Sequence, residues 1–79
     1  MAIIDAGRNI GRLLPKLTSQ ERNEVLFALK CFNCEKYWSF DLVKLTLVKL
    51  DDARAAVRTW GSPALATKLE SLASKAGLL

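Results

Sequence analysis

The chain has 79 residues, 51% hydrophobic and 25% charged: enough apolar content for one small folded domain, and too much for a disordered one. Twelve Lys and Arg against eight Asp and Glu leave a net charge of +4, which permits a polyanionic partner without requiring one. The absence of histidine removes the commonest general base, the Ser-His pair and the commonest metal ligand.

Two prolines and four glycines leave no room for a linker, so residues 1–79 are expected to form a single helical domain. No stretch reaches the roughly eighteen apolar residues of a membrane span. Asp5, Arg8 and Arg12 interrupt any apolar leader, so a cytoplasmic, unprocessed protein is expected, with thiols kept reduced.

At about 100° per residue, Ile3, Gly7, Ile10 and Leu14 form a stripe with Asp5, Arg8, Asn9 and Arg12 opposite, the pattern of an amphipathic helix over 3–14. Gly7 and Gly11 on its buried side suit the close approach of another helix. Pro15 ends or kinks it. Thr18 and Glu21 have the spacing of a capping box, and the helix they open should run from Ser19 to about Cys34. Val25, Leu26, Ala28, Leu29 and Phe32 make its main apolar face, while Phe27, Cys31 and Cys34 lie on the other side. A helix apolar on two faces is either sandwiched in the fold or offers one face to a partner.

Lys36 to Asp41 reads as an aromatic turn, with Tyr37, Trp38 and Phe40; Ser39 is the expected cap of the following element. Leu42 to Leu50 is ambiguous. As an α-helix its apolar residues scatter round the circumference. As a strand over 43–49, Val43, Leu45 and Leu47 point one way and Lys44 and Thr46 the other, and that strand would need a partner across a dimer. The cap and the helical neighbours favour helix. Asp51 or Asp52 can cap a next helix with Ala53, Ala56, Val57 and Trp60 on one face and Arg54 and Arg58 on another. Gly61 is expected to stop it in the left-handed conformation, and Ser62-Pro63 restarts a last helix striped by Leu65, Leu69, Leu72 and Ala76 and ended by Gly77. The fold class is therefore all-α: a compact bundle of four to five short helices.

Little catalytic chemistry is visible. Asp51 and Asp52 point about 100° apart on a helix and cannot share a proton, and there is no phosphate-cradling glycine loop or nucleophile elbow. An enzyme is not expected, nor a cofactor. Cys31 and Cys34 have the spacing of half a zinc site with no second half in the chain, so they read as packing or surface thiols. Phe27, Tyr37, Trp38, Phe40 and Trp60 are the candidate partner-binding residues, since aromatic side chains concentrate at interface centres. They point to a non-enzymatic module that regulates or inhibits a larger partner through an apolar patch, and to self-association, because so short a chain gains little from its own core.

The alternative is a small dimeric DNA-binding regulator, with Arg54, Arg58, Lys68 and Lys75, or Lys44 and Lys49, on phosphates. Arg54 to Leu72 has the outline of a helix-turn-helix, though Thr67 stands where an apolar side chain is expected. Lys44 to Ala76 resembles the ribbon-helix-helix pattern. That resemblance implies a two-stranded ribbon carrying Lys44 and Thr46 into a DNA groove. The helix after the strand is shorter than that family's, and the first forty residues have no counterpart in it.

Overall fold

The computed structural model of the chain describes residues 9–78, which form an all-α unit about 28 × 27 × 20 Å. Two 3-10 turns, Ile10–Arg12 and Leu14–Lys16, precede α1 (Ser19–Phe32) and a single turn, α2 (Cys34–Tyr37). A third 3-10 turn, Lys44–Leu47, leads into α3 (Leu50–Trp60) and α4 (Pro63–Lys75). No strand occurs among the described residues.

Of the expected first helix, residues 3–8 lie outside the described residues, Gly7 with them. From Asn9 on the chain is not α-helical. Pro15 cannot donate a backbone hydrogen bond and disfavours the α conformation before it. The backbone instead closes i+3 bonds, Leu13 N to Ile10 O at 2.8 Å and Lys16 N to Leu13 O at 2.9 Å. The apolar set is buried all the same: Ile10, Leu13, Leu14 and Leu17 join the core. Gly11 meets its expectation of close approach, since a Cβ there would lie 3.0 Å from the Thr46 carbonyl oxygen, on the third 3-10 turn.

The capping box of α1 is complete. Glu21 N donates to Thr18 Oγ1 at 3.1 Å, and Thr18 N to Glu21 Oε1 at 2.8 Å. The helix stops two residues earlier than expected because Asn33 leaves helical geometry and accepts from Lys36 N at 3.2 Å, opening α2. Lys36 and Tyr37 of the expected aromatic turn are thus helical, and Cys34 begins a helix rather than ending one. Val25, Ala28 and Leu29 form the buried stripe of α1. Its main neighbour is α3, whose buried face is Leu50, Ala53, Ala56 and Val57. Alanine on both faces lets the two axes approach closely.

Residues 42–50 are neither the expected helix nor the alternative strand. Val43, not Ser39, holds the cap position, and the Asp41 Oδ1 two residues before it accepts from Lys44 N at 2.9 Å, a bond that holds the carboxyl below the ordinary carboxylate range. A 3-10 turn repeats every three residues, which stacks Leu45 under Val48 on the inside and turns Val43 and Leu47 outward. Lys49 is extended and forms an isolated antiparallel bridge with Asn9 of the same chain, reinforced by Ile10 N to Val48 O at 2.8 Å. Pairing across a dimer is therefore not what satisfies this backbone.

Neither Asp51 nor Asp52 caps α3; Lys49 holds the cap position and both acids sit in the first turn, at the positive helix end. Gly61 corrects another expectation. Its backbone is extended (φ −98°, ψ −172°), and what demands glycine is crowding, since a Cβ would lie 2.9 Å from Val57 Cγ1. The left-handed glycine is Gly77 (φ 74°), closing α4 in a Schellman motif with Leu78 N on Ala73 O and Gly77 N on Ser74 O. Ser62 caps α4 with Pro63 at its first position, as expected. Leu65, Leu69 and Ala73 are its buried stripe; Leu72 and Ala76 pack at the core's edge.

Candidate functional site

The candidate residues divide into those the core absorbs and those it leaves out. Tyr37, expected at a binding surface, is inside, with 2% of its surface exposed. Its ring meets Phe40 edge-on, centroids 4.8 Å apart at 81°, and its hydroxyl donates to Asp52 Oδ2 at 2.8 Å. Burial first, and the facing Asp52 carboxylate second, push the phenol above its ordinary pKa. Lys36 completes the group, 3.4 Å from Asp52 Oδ2 and 5.4 Å from the Tyr37 ring centroid. Tyr37 thus ties α2 to α3, while Phe40 is partly buried and packs against the core.

Trp38 is 78% exposed and Phe27 64%. Trp60, expected on the buried face of α3, is about half exposed at its last residue. Asp52 meets Tyr37 at one end of α3, and Ser62 N donates to Glu24 at 2.7 Å beyond the other. α1 and α3 are therefore antiparallel, and the two tryptophans lie toward opposite ends of the molecule. Trp38 shares a shallow open groove with Cys34 and Glu35. Phe32, Leu42, Val43 and Leu47 are also exposed. Strand periodicity groups Val43 and Leu47 with Leu45, whereas the 3-10 turn buries Leu45 and leaves Val43 and Leu47 outside.

Three of the six candidate phosphate-binding cations are paired with carboxylates. Arg54 and Arg58 both reach Glu70 Oε1, at 3.1 and 2.7 Å, and hold the Glu70 carboxyl below its ordinary range. Arg54 Nε is buried without a partner. Lys68 is 2.8 Å from Glu21, which it and the Thr18 amide hold low in the same way. Lys44 Nζ reaches the Ser39 carbonyl at 3.5 Å. Lys49 and Lys75 are exposed. The ribbon needed for a ribbon-helix-helix reading is absent from the described residues.

Cys31 and Cys34 are free thiols, half-buried and exposed respectively. Among the described residues no three Cys, Asp or Glu side chains are grouped to hold a metal ion, and no helix is long and apolar enough to cross a membrane. No family model, curated protein or solved structure matches the chain.

Proposed function

We propose that this chain is a non-enzymatic helical module that binds a larger macromolecular partner, and regulates or inhibits it, through apolar and aromatic side chains left outside a completed core. One observation carries the reading. The described core is closed without a buried charge, yet Phe27, Trp38, Val43 and Leu47 remain largely exposed. Covering each such side chain is worth about 1.5–3 kcal/mol, and a handful of them at an interface centre supplies most of a binding energy. The DNA-binding alternative has less support: three of its four helix-turn-helix cations, Arg54, Arg58 and Lys68, are paired with Glu70 and Glu21, while Lys75 is exposed.

Affinity capture with the immobilised protein, with and without nuclease, tests the proposal. A nuclease-resistant partner retained by the native chain and lost by Trp38→Ala/Phe27→Asp supports it. Retention by that variant overturns it, and a nuclease-sensitive catch transfers the argument to nucleic acid. Sedimentation velocity on the same samples shows whether a second copy supplies the cover.

A further inference from the structure

Cys31 and Cys34 are the only cysteines in the chain, so a disulfide within the molecule has one possible pairing. They stand on either side of a single joint. Cys31 is the last residue but one of α1, and Cys34 is the first of α2. Between them Phe32 is still helical, and only Asn33 leaves helical geometry, with φ −154° and ψ 85°. The hydrogen-bond ladder nevertheless runs through that residue. Asn33 N donates four residues back to Leu29 O at 3.0 Å, and Tyr37 N donates four residues back to Asn33 O at 3.0 Å. The two cysteines are therefore held about one turn apart, the spacing at which side chains on a helix surface are neighbours.

The thiols differ in access. Cys34 is exposed on the shallow groove that it shares with Glu35 and Trp38, while Cys31 is half-buried. Neither belongs to the buried core. Thiol-disulfide exchange needs one sulfur that an external disulfide can reach and a second that need only reach the first. The pair supplies both.

We infer that Cys31 and Cys34 are a redox modification site whose substrate is a low-molecular-weight disulfide of the glutathione class. The Cys34 thiolate attacks one sulfur of that disulfide, whose S–S bond breaks, leaving a mixed disulfide on Cys34 and one small thiolate. The Cys31 thiolate then attacks Cys34 Sγ, the Cys31–Cys34 bond forms, and the second small thiolate departs. The two protons of the protein thiols end on the two released thiols, and two electrons pass from the protein to the oxidant. Only two residues lie inside the ring that closes, so its loop-closure entropy is small. Asn33, the residue that must adjust, is exposed, so the adjustment leaves the core untouched. At a reducing glutathione poise the dithiol is the resting form, and the disulfide accumulates as that poise rises. The inference concerns thiol chemistry at the α1–α2 joint and stands whether or not the binding-module reading does.

The test equilibrates the full chain in mixtures of glutathione and glutathione disulfide, quenches with acid, alkylates the remaining thiols and reads intact mass. The expected product is a monomer lighter by two hydrogens, with neither cysteine alkylated, that rises with the glutathione disulfide fraction and reverts in excess glutathione. In a Trp60→Phe background Trp38 is the sole tryptophan, and its fluorescence should fall on oxidation, because a disulfide beside an indole quenches it. Cys31→Ser should stop with one glutathione held on Cys34, and Cys34→Ser should lose glutathione uptake. Neither serine enters the core, so unchanged circular dichroism is expected of both, and the mass reading on the native chain stands without them. Thiols alkylated at every ratio, a mixed disulfide that persists in the native chain, or disulfide-linked dimers as the main product each overturn the inference. So does a ring that closes in urea and not in buffer, since the folded joint would then be what prevents it.

Discussion

Replacing Tyr37 by Phe isolates one hydrogen bond at the junction of α2 and α3. The ring, its edge-on contact with Phe40 and its burial all remain; only the hydroxyl 2.8 Å from Asp52 is lost. A hydrogen bond to a charged group contributes about 1.5–3 kcal/mol. The Asp52 side chain is about one-third exposed and keeps Lys36 at 3.4 Å, so water and the ammonium take up part of the loss. The expected destabilisation is therefore about 1–2 kcal/mol, or roughly 4–16 °C in Tm for a domain of this size. Urea unfolding of Tyr37→Phe, Asp52→Asn and the double variant measures it, with a coupling energy of about 1 kcal/mol expected. Because Tyr37 is the only tyrosine in the chain, ultraviolet absorbance also reports its ionisation alone. The phenol should titrate above its ordinary value of 10.0 in the folded state. Above that pH the unfolded chain binds fewer protons than the folded one, so the phenol's contribution to stability is complete below pH 10 and falls as pH rises, a slope that Tyr37→Phe lacks. A tyrosine titrating at its ordinary value, together with a coupling energy near zero, refutes the claim that this bond joins the two helices.

Two further predictions concern helix ends and acid. Thr18→Ala removes the hydroxyl that accepts from Glu21 N and should cost about 1 kcal/mol by thermal or urea unfolding; a neutral result would mean that the Glu21 carboxylate on Thr18 N suffices alone. The Glu70 carboxyl is held low by Arg54 and, after it, Arg58, so its contribution is complete above the ordinary Glu value of 4.5 and is lost as pH falls through its lower folded value. Unfolding measured from neutral pH downward should show a shallower acid loss in Glu70→Gln than in the native chain, with a remainder from Glu21 and Asp41, which shift in the same direction.

Much of the helical framework is legible in the sequence because its signals are local. Thr18 and Glu21, Ser62 and Pro63, and the Leu65–Leu69 stripe each act within a turn or two of chain, and each appears in the structure where the pattern puts it. What fails is what depends on distant neighbours. Gly61 looks like a left-handed stop, yet Val57 crowds it in an extended backbone. Tyr37 sits in a stretch that reads as surface, yet its ring joins the core beside Phe40 and its hydroxyl meets Asp52, fifteen residues on. Arg54 and Arg58 read as a free basic face because the acid that takes both, Glu70, belongs to the next helix. The separation of α1 from α2 at Asn33 was available, since asparagine caps helices well, but the apolar run through Cys31 and Cys34 masked it.

The segment from Leu42 to Leu50 misleads for a different reason, and that reason bears on function. It holds six aliphatic residues, Leu42, Val43, Leu45, Leu47, Val48 and Leu50, which an α-helix could bury only at the centre of the fold. The α1–α3 interface already occupies that place. A 3-10 turn resolves the conflict partially by burying one column in three. Rotating the turn to cover Val43 would bring Thr46 inward and expose Leu45, and rotating it to cover Leu47 would bury Lys44. No orientation of this turn hides all the aliphatics while keeping every lysine in water. The exposure of Val43 and Leu47 therefore follows from the order of residues in the chain.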